Sequence, residues 1–148
     1  MAFAMPAGMR PQILVAYDFG PASAKALAWA ADLRGTSGGP PVHAVHVVNP
    51  APPVAPPDVV PVLSELDVAA IADSLKREVQ EIDPAATSEV VVDSPTGDAI
   101  LAAAQRRNID LIVMGTHGRG GVRRILLGSV AEHVVRHAAC PVVIVRSG

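Results

Sequence analysis

Short apolar runs alternate along this chain with longer stretches in which apolar residues recur every three or four positions. The first run, Gln12-Ile13-Leu14-Val15-Ala16-Tyr17, ends at the turn-prone Asp18-Phe19-Gly20-Pro21 and reads as a buried strand. Residues 22–34 are Ala-rich, carry Leu27, Trp29 and Leu33, and predict a helix that Gly35 to Pro41 should stop. Val42–Val48 predicts a second strand. A stretch from Asn49 to Pro61 follows with six prolines, where neither helix nor central strand is expected and a polyproline connection is. Residues 62–82 place Leu63, Leu66, Ile71, Leu75, Val79 and Ile82 at helical spacing. Thr87–Asp93 predicts a third strand, residues 97–107 a helix, Ile109–Met114 a fourth strand, Ser129–Ala138 a helix and Pro141–Val145 a fifth strand. Strands and helices alternate without an internal repeat, so the fold class is α/β, a parallel sheet with helices on both faces.

Composition narrows this further. Hydrophobic residues make up 50% of the 148 and aromatics only 3%, so the core is built from Val, Leu, Ile and Ala. A net charge of −2 lacks the basic footprint of a nucleic-acid binder, and no aromatics interleave with the basic residues as stacking platforms. Cys140 is the single cysteine, so the chain alone forms neither an internal disulfide nor a cysteine-based zinc site, as suits a reducing compartment. No apolar stretch approaches the roughly 20 residues of a membrane span. The start lacks the basic and apolar regions of a signal peptide. The expectation is a cytoplasmic protein with an N-terminal arm over residues 1–10 and one domain over 11–148.

Candidate chemistry concentrates after the fourth strand. Gly115 and Gly118 let backbone approach a ligand, and Gly128-Ser129 opens a helix. The free N–H groups of Ser129, Val130 and Ala131 and the helix dipole favour an anion there, and the Ser129 hydroxyl can donate to a phosphate oxygen. Each residue also has a plainer use, glycines as turns and Ser129 as a cap. Between them, Arg119, Arg123 and Arg124 surround Gly120 and Gly121, and His117 stands in the same stretch. These arginines suit either phosphate or solvent.

Gly115-x2-Gly118-x9-Gly128-Ser129 resembles the ATP-binding motif of universal stress proteins. The resemblance extends over nearly the whole chain, through Ile13–Asp18, His46-Val47-Val48, Val113–Gly118, Leu126–Val130 and Cys140–Val145. It implies a doubly wound five-stranded parallel sheet in the order 3-2-1-4-5. The order reverses between strands one and four, and a crevice at such a reversal is where open α/β sheets take ligands. The resemblance implies that Ala16, Tyr17 and Asp18 line the nucleoside side and that Val47 meets the adenine. Met114 and Gly115 then meet adenine and ribose, while Gly118, Gly128, Ser129 and Val130 hold the phosphates. Gly20 departs from the Ser common at that place in the family and removes one hydroxyl. The implied ligand is ATP with Mg²⁺, and the implied partner is a second copy of the chain across the Pro141–Val145 edge. Protein clients are not indicated.

Other constellations are thinner. His133 and His137 stand four apart on one helix face, without the carboxylate of a metalloprotease pair, and read as surface histidines. His43 and His46 fall on opposite faces of a strand. There is no Gly-Lys-Ser/Thr P-loop and no Gly-x-Ser-x-Gly elbow. Asp18 is the one carboxylate at the crevice, available to Mg²⁺, to ribose or to its own turn. Without a second base, the residues read as a binder with at most slow hydrolysis, and the resemblance implies a nucleotide-dependent regulatory switch of the stress response. The arginine-rich loop is expected to order on phosphate. Two alternatives share the fold: a slow ATPase or nucleotide-transferring enzyme, and a nucleotide-free interaction protein, a branch that departs from the glycine motif kept here.

Overall fold

The computed structural model describes residues 8, 10–50, 64–116 and 127–146. The described elements are β1 (Ile13–Ala16), α1 (Pro21–Ser37), β2 (His43–Val48), α2 (Glu65–Ile82), β3 (Thr87–Val92), α3 (Thr96–Arg106), β4 (Leu111–Gly115), α4 (Ser129–His137) and β5 (Val142–Val145). The strands form one parallel sheet in the order β3-β2-β1-β4-β5. Most of the proline-rich stretch lies outside the described residues.

Strand alternation divides the core into two layers. Ile13, Val15 and Tyr17 of β1 and its end face Ala26, Leu27 and Ala30 of α1 and Leu75 and Val79 of α2. Leu14, Val45, Ile112 and Met114 face the other way, onto Ile100, Ala103 and Ala104 of α3 and Ala131 and Val134 of α4. β1 is paired on both edges, with Leu14 opposite His43 of β2 and Ile112 of β4. That double burial explains why the strands read as continuous apolar runs.

Element ends differ from expectation where local chemistry overrides the apolar pattern. α1 runs through the exposed Gly35 and stops at Gly38, whose φ of 65° is left-handed and whose N–H donates to the Arg34 carbonyl at 2.9 Å. A glycine inside an exposed helical turn costs about 1 kcal/mol, whereas the left-handed cap is where glycine is required. α1 also begins one residue early because Pro21 suits the first helical turn. α2 starts at Glu65, fixed by a capping box in which the Asp67 N–H donates to the Ser64 hydroxyl at 3.2 Å and the Ser64 N–H donates to the Asp67 carboxylate at 3.1 Å. β4 begins at Leu111 because the Ile109 N–H is committed to the Ala104 carbonyl at 3.0 Å, just after Asn108 turns with φ of 50°.

A polar cluster closes the lower end of the sheet. His43 is 4% exposed and its Nδ1 lies 2.7 Å from the Thr87 hydroxyl. Its Nε2 lies 3.3 Å from Glu89 Oε1, within ion-pair range but outside hydrogen-bond geometry, so among the described residues this buried nitrogen has no hydrogen-bond partner. Arg107 Nε reaches the same Glu89 oxygen at 3.3 Å and Arg106 approaches it at 3.9 Å. Burial holds His43 below the ordinary imidazole value, Arg107 adds to the lowering, and Glu89 opposes it. Burial pushes the Glu89 carboxyl up, but His43 and Arg107 outweigh it and the net shift is down.

Below the unfolded-state histidine value of about 6.5, the unfolded chain takes up a proton that the buried imidazole resists. Stability therefore falls as pH drops through that value, and Glu89 adds a further loss as its own proton returns at lower pH. In urea titrations the wild type should lose up to about 1.4 kcal/mol per pH unit more than His43→Gln between about pH 6.5 and 5. Parallel pH profiles of the two proteins would contradict this account of His43.

Candidate functional site

β1 and β4 lie side by side, yet their outgoing helices cover opposite faces of the sheet. Their C-terminal ends therefore part around a crevice, with α1 starting on one side and α4 on the other.

The β1 side is a tightly bonded turn. Asp18 Oδ1 accepts from the Gly20 N–H and from the Ser23 hydroxyl, both at 2.8 Å. Phe19 between them adopts a φ of 66°. A side chain at position 20 would place its Cβ 2.9 Å from Asp18 Oδ1, so the glycine spares that carboxylate a displacement. The Tyr17 side chain turns away into the α1–α2 layer, where it is 2% exposed and its hydroxyl donates to Glu78 Oε1 at 2.7 Å. Burial and the Glu78 carboxylate push its phenol well above the ordinary range. His46 of β2 donates from Nδ1 to the Tyr17 carbonyl at 2.8 Å, and the Phe19 ring stands edge-on to His46 at 4.8 Å and to Tyr17 at 5.7 Å.

The β4 side is built on a close approach. A Cβ on Gly115 would lie 2.6 Å from Ala22 Cβ and 2.9 Å from the Ala22 carbonyl carbon. Gly115 thus lets α1 seat against the end of β4, a packing reason that stands beside any ligand contact. The Thr116 N–H donates to the Val145 carbonyl at 3.1 Å, and the Gly128 N–H donates to the Thr116 carbonyl at 2.9 Å. α4 is therefore tied back to the strand it follows.

Among the described residues the start of α4 carries no side-chain cap: Gly128 is its N-cap, and Ser129, the first helical residue, is exposed. The first bond inside the helix runs from the Glu132 N–H to the Gly128 carbonyl at 2.9 Å. The amides of Ser129, Val130 and Ala131 consequently lack an acceptor within the helix. Arrayed at the positive end of the dipole, they can hold an anion.

The structure brings four of the sequence-selected residues to one apolar layer. Met114 is buried there, and Ala16, Val47 and Val130 pack against it half-buried. Asp18, Gly115, Gly128 and Ser129 lie at the ends of the elements that carry that layer. Tyr17 has only its backbone to offer, as the two-residue alternation from Ile13 and Val15 already implies. Gly118, His117, Arg119, Arg123 and Arg124 lie outside the described residues. Leu127 joins the same layer, and Phe19 and His46 brace the turn; neither role carried a sequence signal, because both depend on the turn at Asp18 and on strand pairing. His137 is exposed on α4, whereas His133 is half-buried against α3, with its Nε2 2.6 Å from Asp98 Oδ1. Among the described residues no group of three or more metal-ligating side chains comes together, and no helix is long and apolar enough to cross a membrane.

Comparison with known proteins gives this geometry a context. The family model described as "Universal stress protein family" matches residues 9–146. A universal stress protein of Thermus aquaticus is 33% identical over 145 residues, covering 90% of this chain and 97% of the relative. Universal stress protein MJ0531 of Methanocaldococcus jannaschii is 34% identical over 110 residues, covering 71% of this chain and 64% of the relative's length. Among solved structures, UspA of Lactobacillus plantarum superposes with a TM-score of 0.76 at 29% identity, covering 93% of this chain and 98% of that one. An Archaeoglobus fulgidus universal stress protein in complex with dAMP gives 0.65 at 22% identity, covering 91% and 97%. A universal stress protein in complex with cAMP gives 0.64 at 23%, covering 95% and 100%; at these identities the last two share the fold.

If Gly115 is demanded by α1, then Gly115→Ala destabilises the fold whether or not ligand is present. The expected cost is about 1–3 kcal/mol, the range for overpacking a tight contact. Urea denaturation without ligand measures it, and Ala22→Gly in the same chain should recover part of the loss. An unchanged midpoint for Gly115→Ala would remove the packing explanation.

Proposed function

This chain belongs to the universal stress protein family, and from that premise we propose that it binds ATP with Mg²⁺ at the β1–β4 crevice. The observation that carries the reading is the uncapped start of α4, whose first-turn amides open where β4 ends. Phosphates take those amides and the Ser129 hydroxyl, with Gly118 and Gly128 giving the backbone room to approach. Adenine lies against the apolar layer of Ala16, Val47 and Met114, with Val130 on the phosphate side. Asp18, Gly115 and the Tyr17 backbone border the ribose. Two structural neighbours that share this fold are complexes with dAMP and cAMP, which supports an adenine nucleotide as the class of ligand.

The same residues favour occupancy over turnover. Asp18 is the one carboxylate the sequence places at the crevice, and its Oδ1 holds the turn by accepting from the Gly20 N–H and the Ser23 hydroxyl. No second acid or base is assigned beside it to move a proton from an attacking water. Bound nucleotide then acts as a signal, a regulatory switch in the cytoplasmic stress response, by contacts made in one state of the protein and absent in the other.

Titration calorimetry tests the site. Wild type should bind ATP, and Gly118→Val/Gly128→Val should not, with single-turnover hydrolysis far slower than binding. Equal affinity in the two proteins would sink the phosphate assignment. Rapid repeated turnover would instead favour an ATPase, and a wild type without affinity would favour an interaction protein.

The chain also forms a homodimer through β5 in this reading. Val142–Val145 is apolar, half-buried and paired on one side with β4 at the end of the sheet. A bare apolar edge invites pairing, and a two-fold copy of itself is the simplest cover. Light scattering at micromolar concentration should give twice the 15.2 kDa chain mass. A single-chain mass would defeat the dimer.

A further inference from the structure

α4 has only nine residues, too few for an isolated helix to persist in water. Its placement therefore comes from what holds it. Ala131 and Val134 bury its inner face, and the Gly128–Thr116 bond ties its start to β4. Apolar contacts of this kind set how deep a helix sits but allow it to roll.

The contact with α3 removes that freedom. His133 lies directly over Gly97 in the first turn of α3: a Cβ at Gly97 would stand 2.6 Å from His133 Cδ2 and 3.2 Å from its Cγ. The imidazole thus occupies a notch that only glycine leaves open. Its Nε2 bonds Asp98 Oδ1 at 2.6 Å. The far side of the ring is backed by His137, with centroids 4.4 Å apart, and His137 Nδ1 donates to the His133 carbonyl at 2.9 Å. Notch, hydrogen bond and backing ring fix one rotational setting of α4 against α3.

We infer that the Gly97–Asp98–His133 contact aims the first turn of α4, making His133 a positioning residue for phosphate although it touches none. This rests on the nucleotide reading above. Ser129 is one turn from His133, about 6 Å along the axis, so a roll at His133 reorients the Ser129–Ala131 amides almost rigidly. Hydrogen bonds weaken steeply as donors leave the line to their acceptor. The adenine side, carried by β1, β2 and β4, does not turn with α4. The loss on releasing the contact therefore falls on phosphate recognition and spares the nucleoside.

The experiment compares ATP and adenosine affinities by calorimetry in the full chain, with melting temperatures alongside. His133→Ala removes the ring, and Gly97→Ala fills the notch from the opposite helix while leaving the ring present. Both should weaken ATP about tenfold, the loss expected when one or two hydrogen bonds are misaimed, and leave adenosine within about twofold. His133→Gln, which retains a donor for Asp98, should restore most of the ATP affinity. A general loss of structure would lower both ligands together and defy rescue by glutamine; either result overturns the inference, as does ATP affinity unchanged in both alanine variants. If Gly97→Ala does not fold, His133→Ala and His133→Gln decide alone. A wild type that binds adenosine and ATP equally, or neither, removes the nucleotide reading itself and this inference with it, whereas normal wild-type binding with unaffected variants removes the inference only.

Discussion

The structure depends on the burial of β1 on every side. It is hydrogen-bonded to β2 on one edge and β4 on the other, and its two faces feed two separate apolar layers. Ile13, Leu14 and Val15 are at most 1% exposed. A strand so enclosed has no polar face to spare, so chemistry is pushed to its end, at Asp18 and the turn beyond. Because its neighbours' connections leave toward opposite faces, that end is also where the sheet parts. The core and the candidate site are consequences of one arrangement.

Closeness at the crevice is obtained with small residues rather than with charge. Gly115 admits Ala22, Gly20 spares the Asp18 carboxylate, and Gly97 receives His133. Each glycine brings one backbone segment up to a neighbour, and together they seat α1 and α4 around the ends of β1 and β4. The uncapped α4 start fits the same pattern. A serine or aspartate at position 128 would satisfy the first-turn amides internally, whereas glycine leaves them to whatever enters the crevice.

The polar groups divide by depth. At the lower end of the sheet, His43 and Glu89 sit among Arg106, Arg107 and Thr87, where charge serves to hold β2, β3 and α3 together. At the upper end, Asp18, Ser23 and His46 brace a turn, and Tyr17 carries a hydroxyl into the α1–α2 layer to meet Glu78. Polar side chains at both ends of the strands thus serve first to hold neighbouring elements together.

The sequence by itself determined the α/β class, the alternation of nine elements and the parallel sheet, and it singled out the stretch after β4 as the candidate anion site. It could do so because doubly buried strands and amphipathic helices write their periodicity into consecutive residues, and because Gly115, Gly128 and Ser129 stand at fixed spacing in one stretch. Tertiary structure decided the rest, wherever a residue's role depends on a distant segment. Gly35 and Gly38 look alike in the chain, but only Gly38 meets the left-handed end of α1. Gly115 gains a packing role beside its suggested ligand contact only when Ala22 arrives against it, and the Tyr17 hydroxyl finds its acceptor in Glu78, 61 residues away. His133 pairs in sequence with His137, four residues away, yet its bond is to Asp98, 35 residues away. Local periodicity is a property of neighbours along the chain; close approach and hydrogen-bond partnership are properties of neighbours in space, which exist only once the sheet has closed.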